Sequence, residues 1–430
     1  MRQICCLFED LTATQIPNFH IRHCRGAFLQ LSRTVSIGCL QSTGNDAQAK
    51  SLSTVHRVTP YVKAARMIYA SAFQSSSLKA AFPKLMAALK HVEAAIDDER
   101  EAGPIDFQEL CVKMTLDTIG LVALDANLGG LDGSREIHKL LLECNLIGFQ
   151  RVFNFWTALC CKYFPNSPKI QQQEATIRRL TAEWDRLTAE ISKYDDPPHG
   201  ENPIWHGFKS LVDPETGKSI PYKSLRAEIA GIVLAGMDTT GHQLAWILAM
   251  LASHPRVVEK LLEEMEEHGL YGPHSRDAQF DDLVELKYLN AVIKEGMRIA
   301  STTTGTFPRF VERDMEIMGY QVPKGTVVLV PSSRWLGSES DWGDPEVVRP
   351  ERWLGEEDMT QKHYLGFSSG PRDCVGQKLA MLEMRAAIVY LLRRYELKPV
   401  VPFFDLMKNC QNGVTIEAVD GICLHASKRA

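Results

Sequence analysis

The sequence predicts a mainly α protein with a smaller β part, on three observations. Residues 76–99, 106–125, 134–152 and 169–193 carry apolar residues at i, i+3, i+4 spacing, which stacks them on one helix face. Residues 222–253 give the longest such run, roughly 48 Å at about 1.5 Å per residue. Residues 315–333, MEIMGYQVPKGTVVLVPSS, alternate instead and are broken by Gly and Pro, as short strands are; 396–427 look similar.

The elements follow in order. Residues 1–55 show none of this patterning, and the stretch 1–44 contains neither an apolar run of about 18 residues nor a signal-peptide core. Its Arg and Ser content points to a transit-like leader or to an atypical, incomplete N-terminus, so the expected division is a leader over 1–55 and one domain over 56–430. DDPPHGENPIWHG, 195–207, reads as a loop by its Pro and Gly content. The long pattern that follows is apolar on nearly every side, but only the uncharged run Ile229 to Met237 precedes Asp238, so it reads as a buried core helix rather than a membrane span. Pro255 opens a charged helix ending near Gly269, residues 286–299 form another, and Gln377 to Tyr395 a last long one.

Composition bounds the function. The chain has 430 residues, 45% hydrophobic and 23% charged, enough for a large core. A net charge of −5 gives no reason to expect nucleic acid. The 11 cysteines lack framework spacing, and the adjacent pair Cys160 and Cys161 suits a disulfide scaffold badly, so most read as reduced core filler in an intracellular protein.

One cysteine keeps different company. FSSGPRDCVG, 367–376, sets Cys374 between Gly370 and Gly376, with Pro371 stiffening the turn and Arg372 supplying a cation. A helix begins just after it, whose N-terminal dipole favours an anion. The plain alternative is a small buried apolar residue. Zinc is poorly supported, since no C-x-x-C accompanies Cys374 and the nearest histidine, His363, lies across a turn-rich stretch. A cysteine nucleophile with a distant base stays open; a single thiolate in a Gly-lined loop fits haem iron best.

The middle of the long helix is also unusual. AGMDTTG places two glycines, an acid and two hydroxyls where Ala and Leu would be preferred, and each Gly costs about 1 kcal/mol there. Either the helix is kinked, with Thr239 bonding back to a carbonyl one turn earlier, or it forms a groove for a small diatomic ligand with Asp238 and Thr239 relaying protons.

FSSGPRDCVG resembles the haem-binding signature of the cytochrome P450 monooxygenases at Phe367, Gly370, Arg372, Cys374 and Gly376. The resemblance, strongest to the eukaryotic-type members, implies the cytochrome P450 fold, a helix-rich body around haem b (iron protoporphyrin IX) with short β-sheets, and Cys374 as the iron ligand. It implies that Ala235, Gly236, Asp238, Thr239 and Thr240 cross the distal face of the haem, with Asp238 and Thr239 delivering protons. KEGMR and PERW match two further motifs, so Glu295, Arg298 and Arg352 are expected to form a buried structural triad; the plain alternative is a solvated surface pair. The family's early W-x-x-x-R falls on Val62 and Arg66, which keeps a propionate-binding Arg66 but loses the indole; Arg309 is a second propionate candidate.

Two function classes follow from the resemblance. One is a monooxygenase inserting an oxygen atom from O2 into a small apolar substrate; the other is a hydroperoxide-rearranging enzyme or an inactive haem binder with an incomplete N-terminus. Asp238 and Thr239 favour the first. No G-x-G-x-x-G follows an expected strand, so electrons come from a separate donor, an NADPH-dependent reductase or a ferredoxin. Lys378, Arg385, Arg393 and Arg394 are candidates to face that partner, and Thr302 to Phe307 and Asn412 to Thr415 candidates to line the substrate pocket. Membrane association, at the endoplasmic reticulum or an organelle, stays open with no anchor visible.

Overall fold

The computed structural model describes residues 59–192, 203–303, 305, 309–317, 319–328, 342–355, 365–412 and 415–429. The leader expected over 1–55, the first part of the 195–207 loop, His363 and parts of both pocket-lining stretches lie outside them.

The first described helix shows how local chemistry starts an element. The Thr59 hydroxyl accepts from the Val62 amide at 3.3 Å, and Pro60 takes the first helical position, where a missing N–H leaves no bond unmade. Helix α1, Pro60–Ala72, then buries Tyr61, Ala65 and Tyr69 at i, i+4 spacing. Helix α2, Ser75–Glu99, continues the same logic. Strand β1, Ile105–Asp106, leads directly into α3, Phe107–Ile119, because the Asp106 carboxylate caps that helix by accepting from the Gln108 amide at 2.9 Å. A single π-helical turn, Gly120–Leu124, ends α3 at Asp125, which sits in the left-handed region at φ 51°.

Helix α4, Ile137–Phe153, packs against α5, Phe155–Tyr163, and α6, Pro168–Ser192. The next helix, α7, Pro203–Lys209, corrects the loop expected over 195–207 in its second half. Pro203 suits a helix start, and Ile204, Trp205 and Phe208 find full burial; Gly and Pro content alone does not report that anchoring.

Helix α8, Tyr222–Ala252, is the axis of the molecule, buried over most of its length. It packs along α3, and further on against α9, Pro255–Glu267, and α11, Lys287–Ile299, with the short α10, Phe280–Glu285, between those two in sequence. Its close approach to α3 explains Gly241: a Cβ there would meet the Val112 Cα at 2.7 Å and the Thr115 Oγ1 at 2.8 Å. The Thr115 hydroxyl donates across the same contact to the Met237 carbonyl at 2.8 Å.

The β part consists of small antiparallel pieces. β2, Arg309–Phe310, pairs with β5, Val327–Val328, and between them β3, Met315–Ile317, forms a hairpin with β4, Tyr320–Val322. A 3-10 turn, Pro350–Trp353, precedes helix α12, Gln377–Arg394, which packs on α8 and ends one residue earlier than expected because Tyr395 opens strand β6, Tyr395–Pro399. The region read as strands over 396–427 contains a helix, α13, Phe403–Lys408, whose Phe403 and Leu406 are buried. β7, Cys410–Asn412, pairs with β8, Ile416–Ala418, and β9, Cys423–Lys428, lies between β1 and β6 in a three-stranded sheet. The β7–β8 hairpin is tied to the axis helix by the Trp246 indole, which donates to the Ile416 carbonyl at 3.1 Å.

Candidate active site

The turn that carries Cys374 is closed by backbone bonds. The Cys374 amide donates to the Phe367 carbonyl at 2.9 Å and the Asp373 amide to the Gly370 carbonyl at 3.0 Å. Such a tight return needs left-handed backbone, and Gly370, at φ 84°, supplies it without a Cβ penalty; Ser368 adopts φ 62° against its preference. Gly376 does something else. Its φ is −86°, so it is not needed for a positive angle, but a Cβ there would stand 4.0 Å from the Cys374 sulfur, and glycine keeps that flank bare. Phe367 and Val375 pack on the core, which anchors the turn while Cys374 is left accessible.

Cys374 is reachable at its surface yet ringed by protein. Desolvation is the largest influence on its thiol and pushes the pKa up, and the Asp373 carboxylate adds to this; the amides of Gly376 and Gln377 and the Arg66 guanidinium pull it down. The net direction is upward, which corrects the expectation that the loop by itself stabilises a thiolate. The helix start and the nearby cations soften the penalty, and a metal cation is what deprotonates such a sulfur.

Three guanidinia converge beside the turn. Arg66, on α1, donates Nη1–H to the Asp373 carbonyl at 2.9 Å and forms an ion pair with the Asp373 carboxylate. The Arg372 guanidinium has its pKa lowered, first by burial and then by repulsion from Arg309 and Arg66. Strands β2 and β5 bring exposed Arg309 to this group although it lies far away in sequence. Mutually repelling cations held together by a fold suit an anionic ligand.

On the axis helix, Ala235 is exposed and Thr239 half-buried, one turn apart, while Val233, Met237 and Thr240 are buried. The Thr239 hydroxyl donates to the Ala235 carbonyl at 2.6 Å, the back-bond expected of a hydroxyl inside a helix. Gly236, beside Ala235, is half-buried. A Cβ there would meet the Ile119 side chain at 3.0 Å, so its small size is explained by packing on α3. Asp238 is 4% exposed and accepts from the Thr415 hydroxyl at 3.1 Å. Thr302 is buried, its amide donating to Gln243 at 3.2 Å and its carbonyl accepting from the Ile416 amide at 2.8 Å.

Glu295, Arg298 and Arg352 meet. Arg298 donates two hydrogen bonds of 2.9 Å to Glu295, and Arg352 Nε lies 3.1 Å from the same carboxylate. Neither Glu295 nor Arg298 has appreciable exposure, so the solvated surface pair is ruled out. Two partners escaped the sequence reading: the Trp353 indole donates to Glu295 at 2.9 Å and the Arg349 amide at 2.8 Å. The motif PERW contains the tryptophan, which is the signal that was available.

Three of the cations considered for a redox partner have partners within the protein. Arg385 donates to Asn290 at 2.7 Å, Arg393 pairs with Asp277 at 2.8 Å, and Arg394 pairs with Glu93 at 3.3 Å while covering the Tyr390 ring. Lys378 remains exposed.

The chain belongs to the cytochrome P450 family, whose model matches residues 43–417. It is 28% identical over 358 residues to cytochrome P450 3A29 of Sus scrofa, covering 78% of this chain and 68% of that one. To cytochrome P450 3A12 of Canis lupus familiaris it is 34% identical over 187 residues, 43% of this chain and 36% of the relative. To cytochrome P450 4ae1 of Drosophila melanogaster it is 33% identical over 238 residues, 54% and 47% of the two chains. The match to the last two thus spans less than half of their length. The solved structure of a cytochrome P450 (CYP102L1) superposes with a TM-score of 0.75 at 21% identity, over 94% of this chain and 88% of that one, which shows the fold.

Haem b is the cofactor of this family. The residues described above suit it: an accessible sulfur with a bare flank at Gly376, cations grouped beside it for propionates, and an axis helix that presents the Ala235 methyl group and the Thr239 hydroxyl at its midpoint.

Proposed function

We propose that this protein is a haem-thiolate monooxygenase that inserts one atom of O2 into a small apolar substrate with electrons from a separate donor. The observation that carries this reading is the accessible Cys374 at the tip of a closed turn, with Arg66, Arg309 and Arg372 beside it. The haem supplies the binding and reductive activation of O2 when it is bound.

The chain's own residues have separate tasks in this reading. Cys374 ligates the metal and Arg66, Arg309 and Arg372 hold the propionates. Ala235 leaves room on the distal face, and Thr239 presents a hydroxyl there that orients protons. Asp238, one residue earlier and buried, relays protons together with that hydroxyl. Glu295, Arg298 and Arg352 brace the segment preceding the Cys374 turn. The domain is the stretch 56–430. Among the described residues Cys111, Cys160, Cys161, Cys374, Cys410 and Cys423 are free thiols, in keeping with an intracellular, reducing setting, and we place the protein at a membrane or in an organelle there. The donor is an NADPH-dependent reductase or a ferredoxin.

The test is a reduced carbon monoxide difference spectrum of the haem-loaded protein beside Cys374→Ala, followed by product analysis with a reductase. A far red-shifted band that the variant loses, together with oxygenated product, is the expected result. Identical spectra remove Cys374 as ligand, and an intact band without product from any apolar substrate panel overturns the monooxygenase reading.

A further inference from the structure

A buried histidine on the axis helix sits beside the distal acid. His242 is 3% exposed and lies one turn beyond Asp238. Its Nδ1 stands 2.7 Å from the Asp238 carbonyl oxygen and 3.4 Å from Asp238 Oδ1; its Nε2 stands 3.5 Å from Glu417 Oε2. Thr415 completes the group, with its hydroxyl 3.1 Å from Asp238 Oδ2 and 3.3 Å from His242 Nδ1. Glu417 is held in turn by the Gln411 side chain, which donates to Oε1 at 2.9 Å.

This geometry asks for both imidazole protons. A neutral ring has one N–H, and here each nitrogen faces an oxygen acceptor, so either tautomer would turn a lone pair on an acceptor. Burial pulls the His242 pKa down and is the largest single influence, yet the Asp238 and Glu417 carboxylates outweigh it and raise the value to about 10. Glu417 is correspondingly held below its usual range, chiefly by His242. The other titratable group facing His242 is His138 on α4, itself pulled down to about 4 by burial first, with Lys113 and His242 adding repulsion. A charged His242 therefore sits between the Asp238 and Glu417 side chains, with a neutral His138 behind it.

We infer that His242 is a positioning residue: an imidazolium that holds the Asp238 carboxyl group turned toward the β7–β8 hairpin, thereby fixing the acid behind Thr239. Proton delivery at the distal face then depends on a charge seated between helix and hairpin. The contact itself stands on the distances above; only its consequence for turnover rests on the monooxygenase reading.

Two variants and two readouts test it. His242→Gln removes the charge and keeps a donor; Glu417→Gln, at a side chain 31% exposed, weakens the charge without touching the core. The first readout is unfolding by denaturant across pH. A histidine whose pKa rises on folding contributes stability that is full below about 6.5 and lost as pH climbs through about 10, so the wild-type advantage over His242→Gln should shrink across that window. A constant advantage shows an uncharged His242 and overturns the inference.

The second readout is hydrogen peroxide released per NADPH consumed by the haem-loaded protein with a reductase. A several-fold rise is expected in His242→Gln with the carbon monoxide band unchanged, and in Glu417→Gln the onset of uncoupling should move down by about one pH unit. Peroxide fractions and pH profiles matching wild type in both variants overturn the positioning role. Should wild type bind haem through Cys374 yet make no product, the function proposed above fails, and the unfolding profile still decides whether His242 carries its charge.

Discussion

Glu295 receives Arg298 in a bidentate pair, two bonds of 2.9 Å between side chains with no exposed surface. Removing one side of such a pair leaves an uncompensated buried charge. The carboxylate also takes bonds from Trp353, Arg352 and the Arg349 amide, so it joins α11 to the segment that follows Trp342.

Glu295→Ala is accordingly expected to cost about 3–5 kcal/mol of stability, because Arg298 and Arg352 lose their shared anion inside the fold. Chemical denaturation measures the loss, and the yield of haem-loaded protein should fall with it. A change under about 1 kcal/mol would place the pair among weak surface contacts instead.

Gly241→Ala should destabilise by about 1–3 kcal/mol. The new methyl meets the Val112 backbone at 2.7 Å, which cannot rotate away as a side chain would. Gly355→Ala, where nothing lies within 4 Å and the backbone is ordinary, serves as the control and should be near neutral. Equal melting shifts in the two would dismiss the close α3–α8 crossing.

Glu383, wholly buried on α12, has its carboxyl raised well above the usual range by desolvation, and its Oε1 has no hydrogen-bond partner among the described residues. Above about pH 4.5 the unfolded chain releases a proton that the folded one keeps, so stability falls as pH rises, by up to about 1.4 kcal/mol per unit. Glu383→Gln abolishes that slope. Its stability relative to wild type should therefore grow from mildly acidic to mildly alkaline buffer, and a pH-independent difference refutes a neutral Glu383.

Thr239→Ala should leave haem binding intact and raise peroxide release per electron pair at least about tenfold. Product yield per electron equal to wild type would remove the hydroxyl from proton handling.

Much of this was legible in the sequence where period and motif coincide. The axis helix, expected over 222–253, spans Tyr222–Ala252, since 31 residues of helical spacing leave little ambiguity. Motifs brought Glu295 and Arg352 into one expectation although 57 residues separate them. What spacing does not supply is decided by tertiary contacts. Gly236 packs beside Ile119 on another helix. Arg385, Arg393 and Arg394, candidates to face a partner, also meet Asn290, Asp277 and Glu93 from distant segments. His242 carried a usable signal, its i+4 spacing from Asp238; Glu417, which completes its environment, arrives on a hairpin that spacing cannot place.

The crowding of Arg66, Arg309 and Arg372 has a consequence for assembly of the holoprotein. Arg372 is repelled by Arg309 and Arg66, and an anionic ligand relieves that repulsion while added electrolyte screens it. Raising salt should thus firm the apoprotein against heat more than the loaded form, and incorporation of the pigment should be fastest when buffer anions are scarce.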